Sequence, residues 1–134
     1  MGLLDGKVAV ITGSGGGLGR THALLLASEG ATSGGNDRGG ARDGEGKGTN
    51  MADGVVEEIK AAGDEAVANY DSVATSEGGQ GILQTALDAF GQVDILVNNA
   101  GILRDKTLIK TEEADWDAVI AVHLRGTYCV TRPI

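Results

Sequence analysis

The chain has 134 residues, of which 41% are hydrophobic and 3% are aromatic, so it suits one domain with an aliphatic core. Its formal net charge of −8 argues against a nucleic-acid partner, because binding phosphates requires lysine and arginine gathered on one face. The sequence has neither a signal-peptide pattern nor an apolar run long enough to span a bilayer, which predicts a cytoplasmic protein without a membrane partner.

Strand and helix patterns alternate along the chain. Residues 7–12, 31–36, 66–69 and 93–97 have strand patterns, and residues 18–28, 51–62, 80–90 and 111–130 have helical patterns. The second strand has the weakest pattern, because Gly34 and Gly35 offer no side chain to pack, and residues 38–50 read as a loop. Thr111 is the expected N-cap of the last helix. The β-α-β-α-β-α-β-α order predicts an α/β fold of the Rossmann type, a parallel sheet in strand order 3-2-1-4 with helices on both faces.

A glycine-rich turn joins the first predicted strand to the first predicted helix. Gly13, Gly17 and Gly19 fall where the backbone must come close to a pyrophosphate and where the helix must pack tightly against the sheet. An ordinary flexible loop is the alternative, but the strand before the turn and the helix after it favour a dinucleotide site. We therefore predict that residues 1–134 form a dinucleotide-binding Rossmann domain.

Asp37 follows the second predicted strand, at the distance from the glycine turn where an acidic residue binds the adenosine ribose. Its carboxylate would repel a 2′-phosphate, which favours NAD over NADP. The neighbouring Arg38 weakens that preference, and a solvated turn aspartate is the alternative interpretation.

Two motifs resemble those of the short-chain dehydrogenases/reductases. Residues 12–19 match the TGxxxGxG pattern of that family, and residues 98–101 match its NNAG motif. Further segments at residues 36–37, 39–48, 68–73, 101–105 and 122–126 resemble the (3R)-hydroxyacyl-CoA dehydrogenase domain of peroxisomal multifunctional enzymes and its bacterial relatives. The resemblance covers essentially the whole chain.

This resemblance implies a role for individual residues along a bound dinucleotide. The pyrophosphate would be held by Gly13, Ser14, Gly17, Leu18 and Gly19. The adenosine ribose would bind Asp37, the adenine would border Asp71 and Ser72, and the nicotinamide side would be lined by Asn98, Ala100 and Gly101.

His123 occupies the position where many members of that family carry the asparagine of their catalytic tetrad. A ring nitrogen could anchor a water in a proton relay, which makes His123 a hypothetical catalytic residue; a structural role on a mixed helix is the alternative. His22 reads as structural or surface-exposed. With only these two histidines and no suitable spacing, a metal site has no support.

The family's chemistry also uses a serine and a Tyr-x-x-x-Lys pair, and this sequence contains no such pair. Tyr128 and Arg132 have the right spacing, but arginine stays protonated and cannot relay a proton. We therefore expect a domain that is incomplete at its carboxyl end, inactive alone, and exposing the strand at 93–97 as an apolar edge. Such an edge, together with the family resemblance, predicts a homo-oligomer.

The leading interpretation is the NAD-binding part of an oxidoreductase that transfers hydride between NAD and a small hydroxy or keto substrate. The resemblance implies a 3-hydroxyacyl thioester as that substrate. A non-catalytic nucleotide-binding or interaction module is the alternative. A methyltransferase also uses a glycine-rich first turn, but the paired motifs at residues 12–19 and 98–101 make it remote.

Overall fold

The computed structural model describes residues 2–40 and 50–134, except for the side chain of Asn50. Its strands are β1 (Val8–Thr12), β2 (Thr32–Asn36), β3 (Ala66–Asn69) and β4 (Ile95–Val97). Its α-helices are α1 (Gly17–Ser28), α2 (Asn50–Ala61), α3 (Ser76–Phe90), α4 (Glu113–Ile120) and α5 (Gly126–Thr131). A 3₁₀ turn at Leu108–Lys110 precedes α4, and a π-helical segment at Ala121–Arg125 joins α4 to α5.

The four strands form one parallel sheet in the order β3-β2-β1-β4, which confirms the predicted fold class and strand order. Strand β1 is buried along its whole length. Its side chains alternate between two cores, because successive residues of a strand point to opposite faces. Ala9 and Ile11 pack with residues of α1 and α2, whereas Val10 packs with residues of α3 and α5. Both faces of the sheet are therefore covered by helices.

The two glycines that weakened the second strand pattern lie where β2 approaches its neighbours closely. A Cβ at Gly34 would be 3.3 Å from Cγ2 of Val10, and one at Gly35 would be 2.9 Å from Oγ of Ser14. Strand β2 forms despite its polar sequence because the lack of side chains lets it lie against β1 and the glycine turn. From the sequence alone, the two glycines indicated a poorly packed strand, because the close neighbours are not visible in the pattern.

The prediction of one helix over residues 111–130 with Thr111 as N-cap is wrong. Helix α4 begins at Glu113, and Glu112 and Asp115 form a capping box at its start. The hydroxyl of Thr111 donates instead to the carbonyl of Thr107 at 3.0 Å. The π-helical segment then interrupts the regular helix before α5, a feature that a pattern of apolar residues does not reveal.

Two other predicted boundaries shift. Helix α3 begins at Ser76 rather than at residue 80, because the hydroxyl of Thr75 accepts a hydrogen bond from the N–H of Gly78 and caps the helix. Strand β4 is limited to Ile95–Val97, and all three residues are half-buried at the edge of the sheet. Most of the loop predicted at 38–50 lies outside the described residues. Within the part of the chain that the structure describes, no helix has the length and apolarity needed to cross a membrane.

Candidate functional site

A cavity of about 680 Å³ opens at the carboxyl ends of the four strands. It lies where the strand order reverses between β1 and its two neighbours, which is the usual ligand position in an open parallel sheet. The segments after the strands contribute its walls, together with the start of α1 and the junction of α4 with the π-helical segment. Of the predicted site residues, nine line it: Gly13, Gly17, Leu18, Gly19, Asp37, Asp71, Ser72, Ala100 and Gly101.

The glycine turn brings backbone amides to the cavity. Gly13 has a φ of 65°, and a Cβ there would lie 2.8 Å from Cα of Ala100. Gly16 is the N-cap of α1 and provides no side-chain acceptor, and the first turn of the helix contains no acidic residue. The N–H groups at the start of α1 therefore face the cavity without a side-chain partner, an arrangement that suits an anion such as a pyrophosphate.

Thr12, the buried last residue of β1, joins the two glycine-containing motifs. Its hydroxyl accepts hydrogen bonds from the N–H groups of Asn99 and Ala100 at 3.1 and 3.0 Å. In return, Nδ2 of Asn99 donates to the carbonyls of Thr12 and Gly13 at 3.1 and 3.2 Å. The turn after β1 and the turn after β4 are thus fixed to each other.

The structure assigns the two asparagines of the NNAG motif to different places. Asn99, which the sequence analysis did not select, lines the cavity and holds the glycine turn. Asn98 is exposed and lies outside the cavity lining, and its Nδ2 donates to Oγ1 of Thr131 at 2.9 Å. The side chain of Asn98 therefore faces α5, and its expected position along the nicotinamide side stays a prediction. Two adjacent asparagines give no sequence signal for which one turns inward.

Ser14 also lies outside the cavity lining. Its side chain is fully buried, and both its hydroxyl and its N–H donate to the carbonyl of Asn36, at 3.3 and 2.9 Å. These donors are used to join the glycine turn to β2, so Ser14 shapes the turn from beneath rather than facing a ligand. The predicted role of Ser14 in holding a pyrophosphate stays a prediction.

Asp37 lies at the rim of the cavity with both carboxylate oxygens in use. Oδ2 accepts from the N–H of Gly15 at 2.9 Å, and Oδ1 accepts from the N–H of Gly39 at 2.7 Å. These bonds hold the carboxylate between the glycine turn and the end of β2. Arg38 is exposed beside it and also lines the cavity.

Asp71 and Ser72 follow β3 at the same rim. The backbone and carboxylate of Asp71 bind the amides of Asn36 and Asn69, two buried residues at the ends of β2 and β3. The hydroxyl of Ser72 accepts from the N–H of Ala74 at 3.2 Å. Neither asparagine was predicted as a site residue, since isolated polar residues at strand ends resemble ordinary turn residues.

His123 lies in the π-helical segment and outside the cavity lining. Its Nε2 is 3.1 Å from the backbone nitrogen of Ile102 and 3.0 Å from the backbone oxygen of the same residue. A Cβ at Gly101 would come within 2.7 Å of Cε1 of the ring. The imidazole thus braces the segment that follows the NNAG motif, and its catalytic role stays a prediction.

A charged cluster borders the other end of the cavity. Arg104 lines the cavity and lies 3.6 Å from Oδ1 of Asp115, whose Oδ2 accepts from Nζ of Lys106 at 2.6 Å. Hydrogen bonds from Lys106 and from the N–H of Glu112 lower the pKa of Asp115. Over the described ranges 2–40 and 50–134, no group of at least three histidine, cysteine or acidic side chains is arranged to hold a metal ion.

Comparisons with known proteins agree on one family. The family model described as short chain dehydrogenase matches residues 7–134. The chain is 60% identical over 126 residues to a short-chain type dehydrogenase/reductase of Mycobacterium tuberculosis. The aligned region covers 94% of this chain and 44% of that protein. It is 53% identical over 128 residues to the peroxisomal multifunctional enzyme type 2 of Mus musculus, covering 96% of this chain and 17% of that enzyme.

Solved structures are similar over the same range. A short chain dehydrogenase from Mycobacterium avium superimposes with a TM-score of 0.90 at 50% identity, covering 98% of this chain and 47% of that one. A metagenomic short-chain oxidoreductase in complex with NADP gives a TM-score of 0.82 at 35% identity, with coverages of 96% and 55%. The chain thus spans roughly half of these two structures, and less than half of the two relatives.

Proposed function

The chain belongs to the short-chain dehydrogenase family, and on that premise we propose that it is the NAD-binding part of an oxidoreductase. The reaction proposed is hydride transfer between NAD and a hydroxy or keto substrate. One observation carries the proposal: the cavity at the reversal of strand order combines an α1 N-terminus without a side-chain acceptor and a fixed carboxylate at the end of β2. We propose further that residues 1–134 form one dinucleotide-binding domain.

The close packing of the glycine turn against neighbouring backbone keeps the start of α1 where it can bind a pyrophosphate. A Cβ at Gly13 would meet the backbone of Ala100, and a Cβ at Gly19 would overlap the carbonyl of Gly13. Without those atoms, the N–H groups at the start of α1 can approach the phosphate oxygens. Gly17 and Leu18 line the same part of the cavity and would flank the pyrophosphate.

Asp37 supports NAD as the preferred cofactor. A carboxylate at this rim accepts hydrogen bonds from both ribose hydroxyls, whereas a 2′-phosphate would bring a second negative charge against it. Hydrogen bonds from the N–H groups of Gly15 and Gly39 hold this carboxylate at the rim. The NADP-bound structure belongs to another protein of the family, and Arg38 offers a cation at the same rim, so the choice of cofactor needs measurement.

The nicotinamide would lie at the opposite end of the cavity, beside Ala100 and Gly101. When bound, NAD supplies the hydride acceptor for a carbinol carbon. The protein's contribution in this chain is to hold the dinucleotide and to fix the segment after β4 through Thr12 and His123. Similarity to a hydroxyacyl-CoA dehydrogenase of Mycobacterium tuberculosis, at 46% identity over 96% of this chain, supports a hydroxyacyl thioester as the substrate class.

The proton that accompanies hydride transfer needs a separate acceptor. The printed sequence has tyrosines only at positions 70 and 128, and neither is followed four residues later by lysine. Tyr70 donates its hydroxyl to Asp53 on α2, so it is not available to a substrate in the cavity. We therefore propose that this sequence alone binds the dinucleotide without turnover. A nucleotide-binding module without any chemistry is the second candidate, favoured by the same missing pair.

Calorimetric titration of the chain with NAD and with NADP tests the proposal. We expect NAD to bind more tightly than NADP, and Asp37→Ala to weaken NAD binding by at least about tenfold, because charge-assisted hydrogen bonds to the ribose are lost. Asp88→Ala is the control, since Asp88 is an exposed carboxylate on α3 outside the cavity lining. Failure of both dinucleotides to bind would refute the function, and tighter binding of NADP would refute the assignment to Asp37.

Two further predictions accompany this proposal. We propose a cytoplasmic location and a homo-oligomeric state for the protein, and the similarity to a peroxisomal enzyme makes the location a point to measure directly. Sedimentation velocity of the purified chain tests its association. Microscopy of the tagged protein in its own cells tests its location.

A further inference from the structure

Two buried asparagines lie side by side at the carboxyl ends of β2 and β3. Asn36 and Asn69 are paired in the parallel register and are only 2% and 9% exposed. Nδ2 of Asn36 donates to Oδ1 of Asn69 at 2.8 Å and to the carbonyl of Asp71 at 3.0 Å. Because a buried amide is costly unless its polar atoms are paired, these bonds fix the orientation of both side chains.

Asn69 in turn fixes the carboxylate of Asp71. Its Nδ2 donates to Oδ2 of Asp71 and to Oγ1 of Thr85, both at 2.8 Å. Its Oδ1 accepts from the N–H of Asp71 at 2.9 Å. The aspartate is therefore held at its backbone nitrogen, its carbonyl and one carboxylate oxygen by two buried side chains.

The other carboxylate oxygen of Asp71 is left for a ligand. Asp71 is exposed and lines the cavity, and its Oδ1 makes no hydrogen bond to residues 2–40 or 50–134. An ionised carboxylate has only acceptor sites. A group that binds Oδ1 must consequently be a hydrogen-bond donor.

We propose that Asn36 and Asn69 are positioning residues that direct Oδ1 of Asp71 at the exocyclic amino group of the adenine. This inference rests on the proposed function, because it requires a dinucleotide in the cavity. The 6-amino group of adenine donates to the carboxylate, whereas the 6-oxo group of hypoxanthine would oppose it with a second acceptor. The buried asparagines thereby make the site selective for a 6-amino purine, although neither donates a hydrogen bond to the base.

The selectivity ratio between two dinucleotides measures this positioning. Calorimetry with NAD and with nicotinamide hypoxanthine dinucleotide gives two dissociation constants, and we expect NAD to bind at least about tenfold more tightly to the unchanged chain. Asn69→Leu removes the donor to Asp71 and should reduce the ratio towards one. Thr85→Val removes another acceptor of the same Nδ2 group, so it controls for loss of stability and should leave the ratio unchanged.

A second variant leaves the buried asparagines in place and changes an exposed residue. In Asp71→Asn, Nδ2 of Asn69 would donate to the oxygen of the new amide at position 71. The NH₂ group of that amide would then face the cavity. We expect this variant to prefer the hypoxanthine dinucleotide, because an NH₂ group donates to a 6-oxo group. Combining Asp71→Asn with Asn69→Leu removes the orienting bond and should abolish the reversed preference.

The outcomes separate this inference from the function on which it rests. If NAD binds but the unchanged chain does not discriminate, or if Asn69→Leu keeps the full ratio, the positioning role is refuted and the dinucleotide site stands. If Asn69→Leu does not fold, Asp71→Asn decides alone, and an unchanged preference for NAD refutes the inference. If neither dinucleotide binds to the unchanged chain, the proposed function fails and this inference fails with it.

Discussion

Replacing Thr12 with valine removes one hydroxyl from the end of β1 and nearly preserves the shape of the side chain. That hydroxyl accepts from the N–H groups of Asn99 and Ala100 at 3.1 and 3.0 Å, and Thr12 itself is 1% exposed. Valine would leave both N–H groups without an acceptor. An unsatisfied buried donor costs about 1–3 kcal/mol. Because both donors are only partly buried, we expect Thr12→Val to reduce the free energy of unfolding by about 2–3 kcal/mol in total.

Urea unfolding followed by circular dichroism measures this change, with Thr12→Ser as the matched control. Serine keeps the acceptor and removes one methyl group, which should cost about 1 kcal/mol. The valine variant should also bind NAD more weakly, because the segments after β1 and β4 are no longer fixed to each other at the cavity. If valine destabilises the chain no more than serine does, the hydroxyl is not what holds the two motifs together.

Three further changes test other parts of the structure. Ser33→Ala should raise the free energy of unfolding by about 1 kcal/mol in the same urea assay, because the buried Ser33 hydroxyl has no partner among the described residues; a loss of stability would contradict this. Gly19→Ala should weaken NAD binding by at least about tenfold in calorimetry, since its Cβ would overlap a backbone carbonyl. Gly54→Ala is the control, because Gly54 lies on α2 outside the cavity lining with open space at its Cβ, and it should leave the affinity unchanged. The N–H of Val8 donates to the carboxylate of Asp94 and lowers its pKa in the folded state. The stability that this carboxylate contributes is therefore present above its ordinary pKa and is lost as the pH falls through the folded pKa. Asp94→Asn should consequently lose less stability on acidification than the unchanged chain, and equal losses would refute the linkage.

The sheet and the glycine turn could be predicted from the sequence because both depend on local patterns. An apolar β1, a glycine turn and an aliphatic α1 form one contiguous signal, and Gly13, Gly17 and Gly19 of that segment line the cavity. Strand β2 was harder to predict, since Gly34 and Gly35 lack side chains for a non-local reason. They face Val10 and Ser14, and no window of neighbouring residues contains that information.

The orientation of side chains at the site was hard to predict for a related reason. A motif specifies which residue types are present, but not which of two adjacent side chains turns inward. Asn98 and Asn99 illustrate this, because only the partners Thr131 and Gly13, far away in the sequence, separate their roles. Likewise, the π-helical segment depends on hydrogen bonding within the helix that leaves the apolar pattern intact, so the sequence predicted one uninterrupted helix there.

The two ends of the cavity differ in how they are held, and this difference bears on what the chain can do. At the proposed adenosine end, the N–H of Gly15 donates to the carboxylate of Asp37, and the buried Asn69 of β3 donates to the carboxylate of Asp71. At the proposed nicotinamide end, Gly101 follows the half-buried edge strand β4, and His123 holds the next residue, Ile102, through an exposed contact. A rigid adenosine end provides affinity and selectivity for the dinucleotide, whereas hydride transfer needs the nicotinamide and the substrate held in line. The residues of this chain therefore account more fully for cofactor binding than for the chemical step.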